Sequence, residues 1–162
     1  MRMIIQGGLA AMLVLGAGAA CSDSTDPADQ DDFSATLTGA AERPNPVTTT
    51  ATGSATVEID DSDQTLTVTV NVTNLVSTIS AHIHVGDSNT AGPISVTLLA
   101  TPLAIGSFTG KIVDNEVFTA ADVSGGETFA TLVAKIRSGN AYINVHTVAN
   151  PGGEIRGQLV AQ

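Results

Sequence analysis

The chain has no tryptophan, a single tyrosine, a single cysteine and only six basic residues. Each shortage removes a class of protein. One cysteine cannot form an internal disulfide, so the fold must rest on its apolar core. Six lysines and arginines stand against sixteen acids, for a net charge of −10. They cannot assemble the basic patch that phosphates require, which excludes nucleic acid as a partner. Without tryptophan, and with Tyr142 the lone tyrosine, there is no aromatic platform for sugars. The N-terminal apolar run, Leu9 to Leu15, is too short to cross a bilayer as a permanent helix. No Ser/His/Asp spacing for nucleophilic catalysis is present either.

What is present begins with an export signal. Met1-Arg2-Met3 gives a positive start, the apolar run follows, and small residues Gly16 to Ala20 lead to Cys21. Residues 1–20 resemble a bacterial lipoprotein signal peptide, in which Cys21 is lipidated, becomes the new N-terminus and holds the protein to a membrane. Gly18 departs from that pattern, which usually carries leucine there; an ordinary secretory signal is the alternative. Both readings place the protein outside the cytoplasm. By the same resemblance Ser22, which is not an aspartate, leans towards the outer membrane or cell surface. Residues 21–32 form an acidic tether, since Ser22 to Asp32 carries five aspartates and no large apolar side chain. As flexible coil it reaches about 18–20 Å. Loss of the signal removes Arg2 and no acid, so the exported chain is more acidic still, which suits solubility and cation attraction.

Residues 33–162 suffice for one domain. Ala55, Val57 and Ile59 alternate with Thr56 and Glu58, and Leu66, Val68, Val70 and Val72 alternate with Thr67, Thr69 and Asn71. With the polar turn Asp60 to Asp63 between them, these runs predict a hairpin with one wet face. Further strands are expected near 34–39, 81–86, 94–100, 106–113, 142–147 and 154–161. Phe129, Leu132, Val133 and Ile136 instead recur at helical spacing, with Lys135 and Arg137 in the last turn and Gly139 after it. The prediction is a mainly β protein, a Greek-key sandwich or barrel with one short helix.

The three histidines carry the chemistry. In Ala81-His82-Ile83-His84-Val85 the imidazoles share one strand face, roughly 7 Å apart at Cα, while Ile83 and Val85 face the core. Tyr142-Ile143-Asn144-Val145-His146 repeats the arrangement, with Asn144 and His146 outward. If these strands meet, three imidazoles converge on the outside of the barrel, a donor set that suits copper, zinc and nickel. Glu154 and Arg156 share a face of the returning strand. Glu154 is a candidate fourth ligand or orienting group, and Arg156 a candidate attractor of anions. The alternative is a hydrogen-bonded cluster of His82, His84, Asn144, Glu154 and Arg156 that only ties strands together. Asp60-Asp61-Ser62-Asp63 lacks the glutamate of a calcium loop and reads as a turn. Ser124-Gly125-Gly126 reads as a loop before the helix.

Several of these segments resemble the CHRD domain, the repeat named after chordin. They are Leu37-Thr38-Gly39-Ala40 with Glu42, Ala81 to Gly86, Gly92-Pro93-Ile94, Tyr142 to Thr147, and Pro151 to Gln158. They run in order over residues 33–162. The resemblance implies an exported module; in chordin such repeats belong to an extracellular protein that binds growth factors. A non-catalytic module binding an extracellular protein partner, with structural histidines, is therefore the competing expectation. The order of motifs is also similar, more distantly, to copper/zinc superoxide dismutase, an eight-stranded Greek-key barrel. That similarity puts His82, His84 and His146 on its three copper-only positions and implies copper with dismutase-like activity. About nine residues separate His84 from the next strand, so the long zinc loop, and with it the zinc bridge, is missing. The arginine that guides superoxide in that family falls at or near Glu154, with Arg156 displaced by two positions.

Overall fold

A computed structural model describes residues 31–60, 62–102 and 106–162. The expected signal sequence, Cys21 and the expected tether up to residue 30 lie outside the described residues. Nine strands are present among the described residues: β1 (Asp32–Thr38), β2 (Thr52–Ile59), β3 (Thr65–Val76), β4 (Thr78–Val85), β5 (Ile94–Leu99), β6 (Ser107–Thr119), β7 (Ala141–Thr147), β8 (Ile155–Gln158) and β9 (Val160–Ala161). One helix, α1 (Phe129–Arg137), precedes β7. The sheet runs β5-β4-β7-β8-β1-β2-β3-β6, with β9 added to β1. Every named pairing is antiparallel. At the ends of this order Val96 of β5 bridges Val123 just past β6, which nearly closes the sheet into a barrel. Because β3 neighbours β6 and β4 neighbours β7, the connections cross the barrel in Greek-key fashion.

Alternation decides which side of each strand turns inward. Val57, Ile59, Leu66, Val68, Val70, Ile83, Ile143, Val145 and Ile155 are all buried in one core. Asn74, in the left-handed region, makes a bulge in β3, so that Val72 and Leu75, three apart, both face inward. Helix α1 lays Phe129, Leu132, Val133 and Ile136 on the same core. Thr128 caps its start by accepting from the Thr131 amide, and Gly139, with φ 69°, follows its end.

Several boundaries differ from the sequence expectation: β4 starts at Thr78, β3 runs to Val76, and the strand expected over 154–161 is divided into β8 and β9. Strand β6 continues to Thr119 through the polar run Asp114-Asn115-Glu116, because Asn115 adopts a positive φ at a register shift and the pairing to β3 resumes beyond it. At the other end, Asp31 and Asp32 join the fold. Asp32 opens β1, and the Asp31 carboxylate accepts from Arg137 at 2.7 Å while its carbonyl accepts from Ile59.

Strand β7 positions the site. It lies between β4 and β8, and all seven of its residues are buried. Its inner face is Ala141, Ile143, Val145 and Thr147; its outer face is Tyr142, Asn144 and His146. Pairing sets rows across the outer face: His82 opposite Asn144 opposite Arg156, and His84 opposite Tyr142 opposite Gln158.

Candidate metal centre

The barrel brings all three histidines together, with ligand-type nitrogens within 4.8 Å of one another. His84 and His146 are buried and His82 half-buried. Two of the rings are fixed by backbone carbonyls. His84 Nδ1 donates to Gly92 O at 2.9 Å, and His146 Nδ1 donates to Pro151 O at 3.0 Å. A carbonyl can only accept, so each ring carries its proton on Nδ1 and leaves the Nε2 lone pair free. His146 Nε2 accepts from His82 Nδ1 at 3.0 Å. His84 Nε2 is buried and has no hydrogen-bond partner among the described residues. A buried acceptor without a partner is costly in a protein interior, and a metal would satisfy it.

Electrostatics favour the same state. Burial is the main cause that lowers all three imidazole pKa values, and it pushes His82 down to about 4, helped by His146 and His84. The rings are therefore neutral at pH 7, which is the form that coordinates. Carbonyl-locked tautomers, neutral rings and an orphaned Nε2 fit a metal held by nitrogen. Separations up to 4.8 Å are within reach, by side-chain rotation, of two bonds of about 2 Å to one ion.

The neighbouring polar residues support this cluster without entering the group of donors. Glu154 accepts from Thr49 at 2.7 Å through Oε1, and from Thr147 and Asn150 through Oε2, so it ties down the 147–154 turn that presents Pro151 O. Asn144 donates to Glu42 Oε2 at 3.3 Å. Gly153 is required beside them, since φ is 131° and a Cβ would sit 2.6 Å from Asn144 Oδ1. Arg156 is 2 % exposed; its guanidinium lies 3.4 Å from the centre of the Tyr142 ring and donates to Thr90 O and Asp87 O. The Tyr142 ring stacks on His84 at 5.0 Å and 8°, and its hydroxyl accepts from Gly92 N.

Tyr142, Glu42 and the two carbonyls were not predicted to serve the site. For Tyr142 the signal was available, because it shares a strand face with Asn144 and His146. Glu42 stood in a recognised motif with no role attached, and backbone carbonyls leave no signature in a sequence.

Fold and site together define a β-barrel module that carries a three-histidine cluster on its outer face, a candidate metal-binding domain. The family comparison is specific: the CHRD domain matches residues 33–159, and the chain belongs to that family. No curated protein and no solved structure matches it.

Proposed function

We propose that this protein is an exported copper-binding domain, anchored to a membrane through lipid on Cys21, with His82, His84 and His146 as the ligands. The observation that carries the metal reading is the buried, unpartnered Nε2 of His84 beside two further neutral imidazoles. Copper is favoured among the metals that imidazole suits because the order of motifs is similar to that of copper/zinc superoxide dismutase and puts these three histidines on its copper-only positions. Bound copper would supply one-electron redox chemistry. The protein would hold it with three nitrogens, keep the tautomers of His84 and His146 fixed through Gly92 O and Pro151 O, and give up the His82–His146 hydrogen bond when both rings coordinate.

Dismutation of superoxide is the activity to assay once copper loading is established. Arg156 gives it little help, because its guanidinium is held against Tyr142 and two carbonyls. The deciding experiment is EPR of the purified protein loaded with one equivalent of Cu(II), beside His146→Ala. One nitrogen-ligated signal is expected in the parent and its loss or change in the variant. Weak, heterogeneous copper in both would leave a structural cluster and turn the search to an extracellular protein partner. For the anchor, mass spectrometry of the membrane fraction should find lipid on Cys21, and Cys21→Ser should release the protein; an unmodified, soluble parent would refute it.

A further inference from the structure

The buried guanidinium of Arg156 has a consequence for which ion the site accepts. Among the described residues it forms no ion pair, since its two hydrogen bonds go to neutral carbonyls, Thr90 O at 2.9 Å and Asp87 O at 2.6 Å. The Asp87 carboxylate is exposed and accepts from Asn89 and Thr90. Glu42, a buried acid that Arg156 attracts, is pushed up to about 7 by its own burial and offsets the charge only in part.

This cation lies one ring away from a ligand. Strand β7 sits between β4 and β8, so His84 and Arg156 stack on opposite faces of Tyr142. The stacking distances, 5.0 and 3.4 Å, put the guanidinium carbon less than about 9 Å from the His84 ring centre. Solvent does not separate them, because Tyr142 and Arg156 are each 2 % exposed and His84 is 8 % exposed.

We propose that the buried charge of Arg156 makes the three-histidine site selective for monovalent copper over divalent cations, an inference that rests on the copper reading above. Three neutral nitrogens bring no negative charge to balance an incoming ion. Each positive charge placed at the site is therefore opposed by Arg156, whose charge Glu42 offsets only in part. At about 10 Å and an effective dielectric constant near 20, one extra unit of charge on the ion weakens binding by about tenfold. Arg156 is thus a specificity-determining residue that acts across Tyr142 without touching the metal.

The test is competition of the whole exported chain against chromophoric chelators, with Cu(I) under anaerobic conditions and with Zn(II), for the parent, Arg156→Met and Arg156→Lys. The parent should prefer Cu(I). Arg156→Met should narrow the Cu(I)-to-Zn(II) affinity ratio by about tenfold, chiefly by tightening zinc, and Arg156→Lys should keep the parent ratio. An arginine that only braces the 86–92 loop would weaken both metals in parallel and leave the ratio unchanged, which overturns the proposal. Should Arg156→Met not fold, the reduction potential of copper in the parent decides. It should lie above that of copper on an uncharged three-histidine peptide, and equality would overturn the inference. A parent that binds neither metal would instead remove the copper reading itself.

Discussion

The two halves of the barrel share an inner face but differ on the outside. On β2, β3 and β6 the outward residues are polar and largely wet: Thr56, Glu58 and Glu116 are exposed. On β4, β7 and β8 the outward residues are equally polar, yet His84, Asn144, His146 and Arg156 are buried. Loops 39–51, 86–93 and 148–154 supply groups to this second face. Glu42, Thr49, Gly92 and Pro151 all bond to, or through, the polar residues there. A polar face left in water needs no partners, whereas a covered one must pair nearly every atom. The few atoms it fails to pair, among them His84 Nε2 and Glu42 Oε1, are therefore informative. The wet face holds the barrel up; the covered face is built for something else.

The strongest way to break this comparison is to delete one side chain from each face. Tyr142→Ala removes a ring held between Arg156 and His84 together with the hydroxyl that accepts from Gly92 N. It should cost about 3–5 kcal/mol, the range for a buried aromatic. Thr56→Ala, on an exposed position of β2, should change stability by no more than about 0.5 kcal/mol. Urea unfolding of the two variants checks both figures. Equal, small effects would mean that the polar layer contributes no more than a solvated surface does.

How much of this was legible in the sequence follows from the same contrast. Period-two alternation in 55–59 and 66–72 gave the hairpin, and helical spacing at Phe129, Leu132, Val133 and Ile136 gave α1, because both periods reflect one buried face. The convergence of His82, His84 and His146 was legible for the same reason: spacing by two sets the face, and motif order suggested the pairing. What covers the outer face was not legible. Alternation separates one side from the other but carries no information about loops that fold over the polar side. Arg156 illustrates this. Read as a free cation aimed at an anion, it is in fact buried, because Tyr142 and two loop carbonyls, 66 and 69 residues away in sequence, enclose it.

The smallest effect is the most discriminating, because it separates charges inside the covered face. Glu42 is 2 % exposed, with Oε1 unpartnered among the described residues, and burial pushes its pKa from 4.5 up to about 7. Between these values the folded state holds a proton that the unfolded state has released. This acid therefore destabilises the fold progressively as pH rises from about 4.5 to 7, with the full penalty above that. The histidines act with the opposite sign. His82, pushed from 6.5 down to about 4, is protonated in the unfolded chain before the folded one, so its contribution rises with pH over that window. In the metal-free parent the two trends partly cancel. Glu42→Gln keeps an amide-sized group beside Asn144 and removes only the first trend. The stability of Glu42→Gln relative to the parent should thus increase steadily from pH 4.5 to 7 and then level off, as read from urea midpoints across that range. A difference that stays constant with pH would mean that Glu42 is ionised in the fold as freely as it is in water, and that the covered face tolerates an unpaired charge after all.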